Sequence, residues 1–363
     1  MIRAAATFLF PLLLLMTVAC RRSGGSTPEG ADLRILPEEF LRGMTFAHEG
    51  YRGYNGYGGD VVGLSLDSLK SLGVNAVAIV PYTFMRGIEA VDTLPIPDHY
   101  GAENDSAVQH SVREAHRRGF AVMLKPQIWI RGHWPGAIDF ASDDEWNTFF
   151  TAYERWILHY ADMAEREGIH ALCLGTELVH TTLKHPDRWR AIIARVRERY
   201  HGQLTYAANW GEEFENLSFW ADLDVMGLNS YYPLAADGRA DDATLRNGAR
   251  RWMRMADSIS RAHDRPLWLT EVGYRSVEGA WQNPHAEAGD RPPSADAQLR
   301  CYRALAAAVC GSDRVTGMFV WKWPSYLGHQ EGRDGRPVGF VPGGKPAGEV
   351  LRELYRYPAE AGD

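Results

Sequence analysis

Short apolar runs alternate with amphipathic stretches along the chain from Leu41 onward. Eight of these runs have the continuous Val, Ile and Leu content that is typical of parallel strands buried on both faces. They cover residues 43–46, 76–80, 121–126, 171–179, 204–208, 225–230, 267–273 and 317–323. No internal repeat and no linker composition interrupts the pattern. It therefore predicts the α/β class and a single (β/α)₈ TIM barrel over residues 41–356.

Helices are predicted between these runs, where apolar residues recur every three or four positions. They cover residues 64–72, 106–118, 143–167, 186–200, 243–262 and 295–309, and a last helix follows Pro346. The helix over 143–167 has the clearest limits, because Ser142 is a good N-cap and Gly168 favours termination. Residues 81–105 and 275–293 are predicted to be long loops, and residues 357–363 a frayed tail.

The N-terminal segment has the features of an export signal. Arg3 precedes an apolar run over residues 4–19, which is short for a membrane-spanning helix. Residues 17–20, Thr-Val-Ala-Cys, resemble a bacterial lipoprotein cleavage box. We therefore expect a signal peptide over 1–19, lipidation of Cys20 and a flexible tether over 20–40. Arg21 favours the outer membrane of the cell envelope, and simple secretion is the alternative because Thr17 replaces the commoner Leu.

Composition narrows the classes of partner. The chain has 363 residues, a net charge of −7, 12 Trp and 16 Tyr. Its charges are interspersed, so no basic face predicts a nucleic acid partner, and a membrane is expected to be contacted through the lipid anchor only. Aromatic residues that follow predicted strands suit sugar rings at the mouth of a cleft. No spacing predicts a metal site, a disulfide framework or a cofactor.

Two glutamates are candidate catalytic residues. Glu177 and Glu271 each close a strand-like apolar run, and each follows a Thr. An ionised carboxylate in such a run costs several kcal/mol unless something compensates it. A single Glu of this kind could be a structural residue bonded to backbone or to an Arg. Two at the C-terminal ends of barrel strands, where barrel enzymes carry their chemistry, predict a catalytic pair.

Barrel geometry predicts how far apart the two carboxyl groups lie. The fourth and seventh of eight strands are three steps apart on a circle of radius about 7.5 Å, so their Cα atoms are about 14 Å apart. Side chains that reach inward by about 4 Å leave the carboxyl groups about 5 to 6 Å apart. Retaining glycosidases need about 5 to 5.5 Å and inverting ones about 6.5 to 9.5 Å. The separation favours retention and leaves inversion open.

Five motifs resemble glycoside hydrolase family 113, in the clan A of retaining glycosidases. They are Leu124-Lys-Pro-Gln, Leu174-Gly-Thr-Glu, Asn229-Ser-Tyr-Tyr-Pro, Thr270-Glu-Val-Gly-Tyr and Gly339-Phe-Val-Pro-Gly-Gly-Lys-Pro-Ala, and they occur in this order over about residues 41–353. The resemblance implies hydrolysis of β-1,4-mannan, with Glu177 as general acid/base and Glu271 as nucleophile. Many clan A enzymes have Asn before the Glu of the fourth strand, where it contacts the sugar 2-hydroxyl, and this chain has Thr176 there instead.

Further residues are expected to bind substrate. Alternation along the sixth strand places Tyr231 beside Asn229, so that Tyr231 could donate a hydrogen bond to Glu271, with Tyr232 as the alternative donor. The other candidate subsite residues are Lys125, Gln127, Trp129, Asn209, Trp210, Asn229, Trp321 and Trp323. Packing at the barrel mouth is the alternative explanation for each. A non-catalytic glycan-binding lipoprotein on the same barrel is the competing class of function.

Overall fold

A computed structural model of the chain describes residues 39–49, 55–91, 94–99, 101–329 and 335–356. The predicted signal peptide over 1–19, Cys20, nearly all of the predicted tether and the predicted tail over 357–363 lie outside the described residues. Within the described residues, no helix is both long enough and apolar enough to cross a bilayer.

Eight parallel strands close into a barrel, which confirms the predicted fold. The strands of the described residues are β1 (Leu41–Ala47), β2 (Ala76–Ile79), β3 (Tyr82–Met85), β4 (Ala121–Leu124), β5 (Gln127–Ile130), β6 (Ala171–Thr176), β7 (Gln203–Asn209), β8 (Met226–Asn229), β9 (Leu267–Val272) and β10 (Val315–Pro324). The barrel order is β1-β10-β9-β8-β7-β6-β4-β2, and β2 pairs with β1 to close the ring.

Helices cover the outside of this ring. They are α1 (Val62–Ser71), α2 (Asp105–Arg117), α3 (Asp143–Glu167), α4 (Val179–Lys184), α5 (Pro186–Arg197), α6 (Glu212–Asn216), α7 (Asp242–His263), α8 (Ala295–Val309) and α9 (Pro346–Tyr355), with 3₁₀ turns at Pro135–Ala137 and Trp220–Asp222. The predicted limits of α3 hold because Ser142 and Glu145 form a capping box and Gly168 ends the helix at a φ of 63°. The short helices α4 and α6 were not predicted.

Alternating residues of each barrel strand divide the core into two layers. On β6, Leu172 and Leu174 pack outward into the large cluster beneath the helices. Ala171 and Cys173 belong to a smaller cluster together with residues from other barrel strands, among them Trp268 and Phe319. This period of two fills the ring with side chains, so that the interior is a packed core and substrate can enter only at its mouth.

A second, two-stranded parallel sheet stands beyond the barrel rim. Strands β3 and β5 pair in the same register as β2 and β4, from which only the Val80-Pro81 and Lys125-Pro126 dipeptides separate them. Pro81 and Pro126 lie opposite each other, and each lacks the N–H that a ladder requires. The ladder nevertheless continues, since the Gln127 N–H donates to the Pro81 carbonyl at 2.9 Å. The prediction that residues 81–105 form a loop throughout is therefore wrong, since β3 lies within this range. Gln127 and Trp129 lie on β5.

Candidate active site

The C-terminal ends of the barrel strands surround a cavity of about 720 Å³. Glu177 follows β6 and Glu271 lies near the end of β9, and both line this cavity. The remaining lining residues are Trp134, Asn209, Trp210, Tyr231, Arg275, His285, Glu287, Trp321, Lys322, His329 and Phe340. The cavity lies within the usual size range of small-molecule sites, about 300–1,000 Å³. The structure therefore brings the two predicted carboxylates to one concave site.

An irregularity in β9 turns Glu271 toward the barrel interior. Leu228 pairs with Leu269, but the next residue of β8, Asn229, pairs with Glu271, so Thr270 is an extra residue on β9. Strict alternation from Trp268, which faces inward, would have placed Thr270 inward and Glu271 outward. The bulge instead lets both side chains face the interior, because a bulged strand bends and re-aims the residues that follow.

The charge of Glu271 is compensated by a buried cation. Lys125, which is 0% exposed, donates from Nζ to Glu271 Oε2 at 2.7 Å. Tyr231 donates its hydroxyl to Glu271 Oε1 at 2.5 Å. Tyr232 lies elsewhere, where its hydroxyl accepts from the Gly211 N–H. A carboxylate that is held by an ammonium group and a phenol hydroxyl is stabilised in its ionised form.

Glu177 occupies a different environment. Trp134 Nε1 donates to Glu177 Oε2 at 2.7 Å, and Asn229 Nδ2 donates to Glu177 Oε1 at 2.9 Å. Burial raises the pKa of Glu177, and the negative charge of Glu271 raises it further, against the lowering effect of these two hydrogen bonds. Glu177 thus combines a raised pKa with neutral hydrogen-bond donors, whereas Glu271 is bound directly by the ammonium group of Lys125.

The amide of Asn229 connects the two carboxyl environments. While its Nδ2 donates to Glu177, its Oδ1 accepts from Thr270 Oγ1 at 3.0 Å and from Lys125 Nζ at 3.5 Å. Both hydrogen-bonding ends of the amide are thus engaged, which fixes its orientation. Asn229 is 0% exposed, so this bridge lies beneath the cavity floor.

The backbone of Glu177 has an unusual conformation. Its φ is 52°, in the left-handed region that non-glycine residues rarely adopt. The Glu177 N–H donates to the Ala207 carbonyl at 2.9 Å, and the Leu178 N–H donates to the Tyr206 hydroxyl at 2.8 Å. Such conformations persist where surrounding contacts determine them, and they occur often at active sites. Strand β7 therefore holds the turn that presents Glu177.

A third carboxyl group, Glu213 on α6, is buried behind that turn and was not predicted. It is 1% exposed, and its oxygens accept from the Tyr206 hydroxyl and Thr182 Oγ1 at 2.7 Å each and from the Asn209 N–H at 2.6 Å. Burial raises the pKa of Glu213 to about 7, although all three hydrogen bonds oppose that shift. Through Tyr206, Glu213 is linked to the backbone that follows Glu177.

The other predicted subsite residues are distributed unevenly. Asn209, Trp210 and Trp321 line the cavity with the two glutamates, whereas Trp129 lines a neighbouring cavity. Gln127 begins β5 and lines neither of these two cavities.

Two of the predicted subsite positions need correction. Lys125 is fully buried, and its ammonium group binds Glu271 beneath the floor instead of facing open space. Trp323 lies outside the catalytic cavity, because its indole N–H donates to Ser65 Oγ on α1 at 3.1 Å.

Several lining residues were missed because they come from loops whose position the chain pattern does not determine. Trp134 is the most important of them, since it contacts Glu177 directly. Arg275 lies over the Phe340 ring at 4.3 Å and pairs with Glu287. Lys322 was missed as well, although it lies on β10, where it pairs with Glu49. The abundance of aromatic residues after strands was the available signal for Trp134. Among the described residues, no group of three or more His, Cys, Asp or Glu side chains is arranged to hold a metal ion.

Comparison with known proteins assigns the chain to a family of glycoside hydrolases. The family model of Glycoside Hydrolase Family 113 matches residues 44–343. A family 113 β-mannanase from Alicyclobacillus acidocaldarius, solved in complex with ManMIm, is 30% identical with a TM-score of 0.75, and the match covers 87% of this chain and 97% of that one. A search of curated proteins gave no significant match.

Two further structures extend the likeness. A complex of a family 113 β-1,4-mannanase is 24% identical with a TM-score of 0.75, and the match covers 87% of this chain and 98% of that one. A family 5 mannosidase from Rhizomucor miehei is 12% identical with a TM-score of 0.58, covering 87% and 92%. At these identities the likeness shows the fold alone.

Proposed function

The chain belongs to glycoside hydrolase family 113, and on that basis we propose that it cleaves β-1,4-mannan by a retaining mechanism that uses Glu177 and Glu271. It is a glycoside hydrolase, and its substrate is a carbohydrate. Mannan is proposed because the family 113 enzymes that it resembles are described as β-mannanases.

The contrast between the two carboxyl environments is the observation that carries the mechanism. Lys125 Nζ and the Tyr231 hydroxyl donate to the two oxygens of Glu271, which positions its carboxylate as a nucleophile. Glu177 has a raised pKa, which a general acid needs in order to remain protonated at working pH. Their positions at the C-terminal ends of β6 and β9 give a separation of about 5 to 6 Å from barrel geometry, closer to the spacing of retaining enzymes than to that of inverting ones.

The proposed reaction has two steps. Glu271 attacks the anomeric carbon of the sugar on one side of the scissile bond, and Glu177 gives its proton to the departing glycosidic oxygen. A covalent glycosyl-enzyme results, and Glu177 is then an anion. In the second step Glu177 takes a proton from water as the water attacks the same carbon and releases Glu271. Asn229 can hold Glu177 in place through both steps, because its own amide is fixed from below.

The test combines two variants with the stereochemistry of the product. Glu271→Ala and Glu177→Ala should each lose turnover of β-mannan. Azide should restore turnover of an activated aryl β-mannoside by Glu177→Ala and give the β-azide, whereas Glu271→Ala should give the α-azide. Unchanged hydrolysis of β-mannan in both variants would contradict the mechanism.

Two alternatives have distinct outcomes in the same experiments. An inverting hydrolase would release a first product of the opposite anomeric configuration, which proton NMR detects. A glycan-binding lipoprotein would bind mannan tightly in its parent form without turnover. The buried cation beneath Glu271 argues against a protein that only binds glycans. Binding neutral sugar hydroxyl groups requires neither a buried cation nor two converging carboxylates.

We also propose that the enzyme is anchored to the outer membrane through lipidated Cys20. The proposal rests on the cleavage-box resemblance of residues 17–20 and on Arg21. Cys20→Ser should move the protein from the detergent phase to the aqueous phase when cells are extracted with a phase-separating detergent. If parent and variant partition alike into the aqueous phase, secretion without an anchor replaces this proposal.

A further inference from the structure

We propose that the sheet of β3 and β5 forms a separate sugar-binding subsite, which takes another pyranose unit of the same glycan chain that enters the catalytic cavity. The inference rests on the proposed function, because it assumes a polymeric β-linked substrate. The subsite is a cavity of about 340 Å³ beside the catalytic cavity, and the two share Trp321 and Lys322 in their walls. A chain that passes Trp321 can therefore occupy both.

The two faces of the small sheet differ sharply. Side chains that alternate onto one face are buried in the protein, namely Thr83, Met85, Ile128 and Ile130. The opposite face carries Tyr82, Phe84, Gln127 and Trp129, and its aromatic residues line the cavity. The sheet is thus anchored by one face, so that the other can present aromatic rings at fixed positions.

Phe84 and Trp129 form an exposed aromatic pair on that face. They are direct partners across the strands, and their ring centroids are 5.7 Å apart at an interplanar angle of 67°. Phe84 remains 44% exposed and Trp129 46%. Neighbouring large apolar side chains that stay exposed beside a catalytic cavity indicate a binding surface. Flat aromatic faces suit the apolar C–H face of a pyranose ring.

Polar groups in the same cavity determine which flat ligand fits. Glu103, which is 4% exposed, lies in the cavity wall, and Glu49 lies nearby in an ion pair with Lys322. Burial and the charge of Glu49 raise the pKa of Glu103. Carboxyl groups form strong hydrogen bonds with sugar hydroxyls, whereas they would repel the phosphates of a nucleotide. A neutral sugar is therefore the ligand that matches both the rings and the acids.

The test compares substrates of increasing length. We would measure kcat/KM on β-1,4-linked manno-oligosaccharides from the disaccharide to the hexasaccharide, for the parent, Trp129→Ala, Phe84→Ala and Glu103→Gln. Leu64→Ala is the matched control, because Leu64 is a large apolar residue on α1 that is 66% exposed and lines neither cavity. Melting temperatures would verify that each variant folds.

We expect the ratio of kcat/KM on the hexasaccharide to that on the trisaccharide to fall about 10-fold in Trp129→Ala, which corresponds to ~1.4 kcal/mol. The ratio should fall in Phe84→Ala and Glu103→Gln as well and should stay unchanged in Leu64→Ala. A loss that is equal for every length, or no loss at any length, overturns the subsite.

Calorimetric binding of the same oligosaccharides to the Glu177→Gln protein, with and without Trp129→Ala, separates this inference from the proposed function. If the parent does not hydrolyse mannan but Trp129→Ala weakens binding of the longer oligosaccharides only, the proposed function fails and the subsite stands. If no oligosaccharide binds, or if binding weakens equally at all lengths, the subsite is overturned.

Discussion

Replacing Glu213 with Gln is expected to remove a pH-dependent component of stability from the barrel. Glu213 is buried behind the Glu177 turn, and its pKa is raised from the ordinary 4.5 to about 7. A carboxyl group with a raised pKa favours folding while it is protonated in the folded state. That contribution is fully present below pH 4.5, and it is lost as the pH rises through 7.

The magnitude follows from the size of the shift. One pKa unit corresponds to about 1.36 kcal/mol, so the difference between 4.5 and about 7 corresponds to about 3 kcal/mol of unfolding free energy. For a domain of this length, an entropy of unfolding of about 2.1 cal/mol/K per residue converts this into a change of about 4 °C in Tm. Glutamine carries no charge at any pH, so the variant should lack this component.

Thermal unfolding between about pH 5 and pH 8.5 measures the difference directly. The Tm of the parent minus the Tm of Glu213→Gln should decline by about 4 °C across this range. Glu212→Gln is the control, because Glu212 lies on the exposed side of the same short helix. Curves for the parent and Glu213→Gln that run parallel within about 1 °C would refute the reasoning, since a group that is ionised in both states across this range gives no such slope.

Three further substitutions test the catalytic cavity. Lys125→Met leaves Glu271 buried without its cation, so the unfolding free energy should fall by about 3–5 kcal/mol and kcat should be largely lost. A denaturant unfolding curve that matches that of the parent would contradict this expectation. Trp134→Phe removes a hydrogen bond that lowers the pKa of Glu177, so the basic limb of the kcat/KM–pH profile should move to higher pH. A shift of this limb to lower pH would contradict the expected direction of the pKa change. Tyr231→Phe removes a donor to the proposed nucleophile, so kcat should fall by about 10²–10³ while KM changes little, and a loss confined to KM would assign Tyr231 to substrate binding alone.

The apolar pattern was sufficient to predict the barrel and the placement of its two carboxylates. Parallel barrel strands are buried on both faces, so a Glu at the end of such a strand stands out against Leu and Val. Helix limits could be predicted where capping was encoded locally. At the start of α3, Ser142 accepts from the Glu145 N–H, and at its end Gly168 adopts the left-handed conformation that terminates the helix.

Features that depend on contacts between distant residues could not be predicted. The extra residue in β9 and the positive φ of Glu177 arise from pairing with neighbouring strands, which a single apolar run does not encode. In the sequence, Pro81 and Pro126 each indicate the end of a strand. In the structure they lie opposite each other, so the hydrogen bonding between β2 and β4 continues into β3 and β5. Glu213 resembles an ordinary surface acid, since nothing in its local sequence reveals burial against Tyr206.

Strands β3 and β5 separate the proposed binding of a further sugar from the cleavage of the glycosidic bond, because the two tasks fall on different strands. These strands prolong β2 and β4, whereas Glu177 follows β6 and Glu271 lies on β9. The exposed face of the outer sheet, with Phe84 and Trp129, can be substituted without changing Lys125, which binds Glu271, or Trp134, which binds Glu177. Substitutions confined to that face should therefore alter the preference for polymer length and leave the bond-breaking chemistry unchanged.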